Sequence, residues 1–457
     1  MVILMKNINI FKNTEFNIIL ILAYIAIMLA ISPLIPGVTW FQLGDFTLDV
    51  VNYYHTLMIP LALLLILYAT YIMKLNQKIL TAINASTIPL IILNILGLIF
   101  FYPSNTQLID YILQGMRDVW MLLLTLLFFI GLLLFPFKFR DSFKKIWGAY
   151  FLILLATISA GIAAIMGMIY EYGSLYGYSS IPIFNSMVNS WGGLQTFLGN
   201  LVTSHSHEML PAVMGGIVAL AALSFGYGNL NGWKRNIINV GMVISIFGTI
   251  SMTYLYIISS FGTYSIPAIF TSGPYGMNGL ALDDSQTGLI GIGALISSIG
   301  IYFTLSNKKT VRLLQISELI TWIATMFVMV GIGYIIEFNE SYYGFATAGT
   351  PPNGGPGYLY DMAYTNGHLM FAFFFMPVLA ALLLAFLIFT KENSNFVNFN
   401  AYLFLLGTAL GAEGVLIYLI TLSWYVEAIG LAIIAFSMLL MLYPSIKIYY
   451  KNLKENS

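Results

Sequence analysis

The residues best equipped for chemistry in this 457-residue chain are its four histidines, His55, His205, His207 and His368, because cysteine is absent. Imidazole nitrogen binds metals, ligates haem iron and exchanges protons near neutral pH. Without thiols there is no disulfide, no cysteine-ligated iron–sulfur cluster and no covalent c-type haem site. Any metal or cofactor must be held by histidine, methionine, carboxylate or backbone. The histidines are regularly placed: His207 follows His55 by 152 residues and His368 follows His207 by 161. Each opens a long apolar run, ending near Met73, Phe225 and Phe389 respectively. A feature that recurs once per third of a chain marks an internal repeat.

The elements that position these histidines are set by composition. Only 8% of residues are charged while 59% are hydrophobic, with a mean hydropathy of +0.88. A soluble domain carries about 25% charge. A membrane-spanning helix needs about 20 mostly apolar residues, because lipid offers no partner for backbone amides. Such runs occur near 16–35, 52–73, 82–102 and 118–137, then 147–170, 200–225, 237–260 and 286–305, then 314–336, 364–389, 398–418 and 425–444. The expected fold is an all-α polytopic membrane protein, twelve transmembrane helices in three pseudo-repeats of four, about 1–140, 141–310 and 311–457, forming one integral membrane domain over 1–457. The histidine helix is second in each set.

Basic residues fix the expected orientation, since Lys and Arg gather in cytoplasmic loops. With the N-terminus inside, Lys6, Lys12, Lys74, Lys78, Lys138, Arg140, Lys144, Lys145, Lys234, Arg235, Lys308, Lys309, Arg312, Lys391, Lys447, Lys451 and Lys454 all fall inside, and Arg117 alone of the eighteen falls outside. Both termini are then cytoplasmic, in a cell membrane, and the histidines lie near the outer face. The first run follows Lys6 and Lys12 like a signal peptide, but it is long, precedes Pro33 and Pro36 without a clear small-residue cleavage site, and is needed for the topology, so it reads as a retained helix. The longer connections, about 36–51, 171–199, 261–285 and 337–363, are all external, rich in Gly, Pro, Ser, Asn and Tyr, and read as turns. Formal net charge is zero, and nothing points to nucleic acid.

Four histidines at similar depth in three repeat-related helices suit a shared cofactor better than four separate interfacial roles, since an intramembrane imidazole needs a partner. Successive helical residues turn by about 100°, so His205 and His207 lie about 200° apart and cannot chelate one metal together. One helix can instead offer a ligand to each of two neighbouring pockets, an arrangement suited to axial ligation of haem.

The chain resembles subunit I of the haem–copper oxidase and nitric oxide reductase superfamily. Twelve helices in three arcs of four, with histidines near the outer ends of the second, sixth and tenth, match its architecture. His55-Thr56-Leu57-Met58 is similar to the second-helix His-Gly-Leu-Met pattern, and Asp361, Tyr364 and Asn366-Gly367-His368-Leu369-Met370-Phe371 resemble the tenth helix. The departures matter more. Asn366 stands where the family has the high-spin haem ligand, residues 237–260 lack the adjacent histidine pair of the seventh helix, and the sixth helix lacks the tyrosine that follows its histidine in oxygen reductases. The resemblance implies a low-spin b-type haem with His55 and His368 as metal ligands, and no oxygen-reducing centre. In composition, length and lack of cysteine the chain is also similar to hydrophobic subunits of archaeal respiratory cytochrome b complexes. That likeness implies an electron-transfer subunit without independent catalytic activity, partnered by lipids, an extracytoplasmic cytochrome, a Rieske-type iron–sulfur protein and quinol. An alternative scheme uses all four histidines for two haems, His55 pairing with one face of the sixth helix and His368 with the other. Rival readings are a haem-free membrane anchor for a cytochrome complex and a twelve-helix transporter, although transporter repeats usually invert or come as two sets of six.

Other polar residues carry smaller expectations. Arg117 adjoins Asp118 at the outer end of the fourth span and reads as a surface ion pair, with a haem propionate as its alternative partner. Glu208 and Glu413 read as paired within the bundle, with proton relay as the alternative. Trp191 and the tyrosines read as an interfacial belt.

Overall fold

The computed structural model describes residues 13–31, 48–101, 107–190, 193–253, 279–305, 309–326, 376–389, 394–421 and 425–455. Among these residues the chain is all-α, with thirteen α-helices and no strand. In order they are α1 (Thr14–Ile31), α2 (Leu48–Ile72), α3 (Gln77–Phe101), α4 (Gln107–Lys138), α5 (Arg140–Tyr176), α6 (Pro182–Ser190), α7 (Leu194–Ser224), α8 (Trp233–Ser251), α9 (Gly279–Leu305), α10 (Lys309–Thr325), α11 (Met376–Phe389), α12 (Asn395–Thr421) and α13 (Tyr425–Glu455). Every one of the twelve apolar runs overlaps a helix. Seven helices among the described residues, α1 to α5, α12 and α13, are long and apolar enough to cross a membrane. The chain is a multi-pass helical membrane protein.

Three helices form the centre. α2, α7 and α11 pack on one another, and the other long helices close a circuit around them in the order α1, α3, α4, α5, α8, α9, α10, α12, α13 and back to α1. The sequence explains who goes inside. Leu57–Ala69 of α2, Val213–Ala222 of α7 and Val378–Ala385 of α11 are almost uniformly aliphatic or small, with no polar stripe, and nearly all of their side chains are buried. A helix apolar all round belongs in a core. Gly216 lets α7 close on its neighbours, since a Cβ there would lie 2.8 Å from Ala156 of α5 and 3.2 Å from Leu65 of α2.

The outer helices are built inside out. In α4, Leu108, Ile109, Ile112 and Met116 are exposed while Asp110, Gln114, Arg117 and Asp118 are buried. Lipid facing the outside and protein facing the inside reverses the water-soluble pattern. This corrects the expected start of the fourth span: the helix begins at Gln107, eleven residues before position 118, because its charged residues turn inward instead of ending it. Close helix pairs use small residues. Gly241, Ser245 and Gly248 of α8 face Gly293, Ser297 and Ile290 of α9, and Gly407, Gly411 and Gly414 of α12 face Gly430 and Glu427 of α13, with no room for a Cβ at most of these contacts.

The first run is a working part of the bundle. α1 packs on α2, α3 and α13, and Asn17 Nδ2 donates to Asn84 Oδ1 of α3 at 2.9 Å. The described part of the connection over 171–199 is largely helical, not the set of turns its composition suggests. α5 continues to Tyr176, Gly177 reverses the chain at φ +82°, a short 3-10 turn spans Tyr178–Ser180, and α6 then covers Pro182–Ser190. Tyr178 anchors this cap, its ring lying edge-on to Phe197 of α7 and its hydroxyl donating to the Tyr170 carbonyl at 3.0 Å.

Candidate functional site

The candidate site lies where α2 and α7 meet, at the third turn of α2 and the fourth turn of α7. His55 Nε2 and His205 Nε2 are 3.2 Å apart. Their ring centroids are 5.5 Å apart, which is that separation plus one ring radius at either end, so the two nitrogens lie on the line between the rings. The imidazoles meet head-on. Two ligands of a tetrahedral ion would instead angle their lone pairs toward an apex off that line.

Three helices hold this pair. The Nδ1–H of His205 donates to the Ala163 carbonyl of α5 at 2.8 Å, because a carbonyl can only accept. That bond fixes the tautomer and leaves the Nε2 lone pair pointing at His55. A ligand histidine typically spends its other N–H in this way. On the opposite side, Asn94 of α3 donates to the His55 carbonyl at 3.3 Å and to the Tyr24 hydroxyl of α1 at 3.1 Å. The histidine turn of α2 is thus tied to α1 and α3, and that of α7 to α5.

Beside the pair lies a buried polar group from α4 and α5. Arg117 Nε donates to Asp118 Oδ1 at 3.0 Å, and both side chains are almost fully buried, 4% and 6% exposed. The sequence reading of a surface pair is therefore right about the partner and wrong about the place: with α4 turned inside out, both residues face the bundle. Gln114 Nε2 donates to Asp110 Oδ1 at 2.7 Å, and the Glu171 carboxylate is buried close by. Asp118 and Arg117 both act electrostatically on His205. A Cβ at Gly167 of α5 would collide with the Asp118 carboxylate, so the glycine is what admits it.

The structure brings together His55, His205 and the Arg117 group. His368 lies outside the described residues, as do Asp361, Tyr364, Asn366 and Trp191. His207 lies on α7, and its side chain is likewise outside what is described. Glu208 is buried and accepts from Thr253 at 2.7 Å, as pairing within the bundle requires. Glu413 is exposed, which corrects the expectation that it pairs inside. Among the described residues no three His, Asp or Glu side chains converge on one point as a metal cage would require. The chain matches no family profile, no curated protein and no solved structure.

A buried b-type haem can be tested against this geometry. His55 and His205 are the residues that would hold it, since their ring nitrogens face each other, and the two rings would have to part to admit the group. The described contact is an N–H···N hydrogen bond along the line between the rings.

Proposed function

We propose that the chain is the membrane electron-transfer subunit of a respiratory complex, holding a b-type haem between α2 and α7 with His55 and His205 as axial ligands. The observation that carries this reading is the head-on imidazole pair, with His205 oriented by the Ala163 carbonyl. The sequence expectation pairs His55 with His368. The facing imidazole is that of His205, so the ligand assignment adopted is that of the two-haem alternative, with His207 and His368 as the candidates for a second haem.

Held by His55 and His205, a b-type haem would supply one-electron transfer there. The chain supplies the rest. Ala163 and Asn94 hold the two ligands from opposite sides, and Arg117, buried and near His205, is the cation a propionate would meet. Its Asp118 partner keeps the group neutral in low dielectric. The repeated neighbour pattern, second helix inside and first, third and fourth outside, supports twelve spans in three sets of four, similar to haem–copper oxidase subunit I. With both termini cytoplasmic the pair lies near the outer face, in reach of an extracytoplasmic cytochrome, a Rieske-type protein or quinol. Because residues 237–260 contain no histidine pair, we assign the chain no oxygen or nitric oxide reduction of its own.

The test is a pyridine haemochrome assay with a reduced-minus-oxidised spectrum on the purified chain. A b-type signal is expected, lost in His55→Ala and in His205→Ala. Retention of the full signal in His205→Ala with loss in His368→Ala would restore the His55–His368 assignment. A wild-type chain that binds no haem would leave the anchor and transporter readings.

A further inference from the structure

A second buried constellation lies in the other half of the bundle, on α10. Glu318 is 2% exposed and Gln315, one turn earlier, is 1% exposed. Ser298 of α9 donates to Glu318 Oε1 at 2.8 Å. Glu318 Oε2 and both polar atoms of the Gln315 amide have no hydrogen-bond partner among the described residues. The neighbouring hydroxyls are occupied by their own backbone, Ser317 donating to the Leu313 carbonyl and Thr321 to the Ser317 carbonyl, while the indole of Trp322 interacts with the Glu318 carboxyl. Glu318 borders a small, mostly apolar cavity between α7, α10 and α11, lined also by Met214, Val218, Thr321, Trp322 and Leu383.

Chemistry restricts what such a carboxyl can be. The hydrogen-bond partner of Glu318 is a neutral hydroxyl, and none of the other cavity-lining residues is charged. The charged or titratable groups on the elements around it are Lys309 and Arg312 of its own helix, His205, His207 and Glu208 of α7, Asp283, Asp284 and Tyr302 of α9, and Tyr402, Glu413 and Tyr418 of α12, while α11 has none. The nearest of these along α10, Arg312, is six residues away. A lone carboxylate at this depth is costly, so the group carries a proton, and a protonated carboxyl needs an acceptor for it. The cavity has room for about one water molecule, with the Glu318 carboxyl on its wall to bind it. Glu318 lies nine residues from Lys309, roughly 14 Å along the helix. Met214 on the facing helix is also nine residues from His205, again roughly 14 Å.

We propose that Glu318 is a proton-exchanging site in the membrane interior, reached by water from the Lys309 end of α10 past Gln315. Gln315 relays by holding water, and Oε2 of Glu318 takes up and releases the proton, with no redox change. The site is independent of the haem assignment, and its test needs no haem.

The experiment is infrared spectroscopy of the full chain in lipid bilayers, following the carbonyl stretch of protonated carboxylic acids after transfer into D2O. A band absent from Glu318→Gln is expected, and it should shift promptly in D2O. Gln315→Leu should keep the band but slow its shift at least tenfold. Labelling of the wild-type chain with dicyclohexylcarbodiimide, an apolar reagent for protonated carboxyls, followed by peptide mass spectrometry, should mark Glu318 and so covers the case in which Glu318→Gln fails to fold. A Glu318 band indifferent to D2O, the absence of both band and label, or a shift unaffected by Gln315→Leu would overturn the proposal.

Discussion

At the scale of single residues the decisive events are pairings that linear spacing does not reveal. The histidines announce themselves by scarcity and period, yet which imidazole faces His55 depends on how α2 meets α7, and that depends on Gly216 and on the aliphatic faces around it. Glu318 was invisible for the opposite reason: a single carboxylate inside an apolar run shows nothing about whether it turns to lipid, to a cation or to a cavity. Arg117 shows the same limit, because its exposure follows from the rotation of α4. Its burial has a measurable consequence. Removing one member of a buried ion pair strands the other and costs about 3–5 kcal/mol, whereas removing both is far milder. Arg117→Gln should therefore lower unfolding stability by about that amount, and Arg117→Gln with Asp118→Asn should recover most of it. Denaturation of the purified variants in mixed micelles checks this; equal stability of single and double variants would refute the buried-pair account. Asn94→Leu should cost about 1–3 kcal/mol by leaving the Tyr24 hydroxyl without its donor, and it should also disturb the environment of His55.

Elements were far more legible than partners. Long apolar stretches declare helices because lipid leaves the backbone no other way to satisfy its hydrogen bonds, and each of the twelve runs does coincide with one. The ends were less legible, and α4 shows why: hydropathy reads Asp110, Gln114, Arg117 and Asp118 as a boundary, while the structure turns them onto one buried stripe. The polar composition of 171–199 similarly concealed α6. Small residues carry the element-level prediction. Gly241 of α8 sits against Ser297 and the Gly293 carbonyl of α9, so Gly241→Leu forces two helix backbones apart. Overpacking of this kind costs typically about 1–3 kcal/mol. Val240→Leu, one residue away on a face already exposed, should be close to neutral. A thermal-shift comparison of the two variants decides whether the α8–α9 contact is as tight as described.

For the whole molecule the argument turns on the closed circuit of nine helices around α2, α7 and α11, and on which side of the membrane its connections lie. α13 returning to pack on α1 closes the circuit, which is natural if the chain makes an even number of passes and both ends emerge on one side. Charge agrees, since Lys138, Lys144 and Lys145 at the α4–α5 junction, Lys234 and Arg235 before α8, and Lys447 and Lys451 on α13 would share that side. The turn after α5 and the start of α6 would then face outward, packed on the start of α7. Because the chain contains no cysteine, an introduced one can be followed without background. Ser179→Cys, in the turn between α5 and α6, should react with a membrane-impermeant maleimide on intact cells. Lys138→Cys, Lys234→Cys and Lys451→Cys should react only after permeabilisation. One inner position labelled from outside would break the alternation of spans at that point, and if Lys451→Cys were the offender the twelve-span count would fail with it. The same experiment bears on function, because an electron carrier at His55 and His205 can meet an extracytoplasmic partner only if Ser179 and its neighbours are on that partner's side.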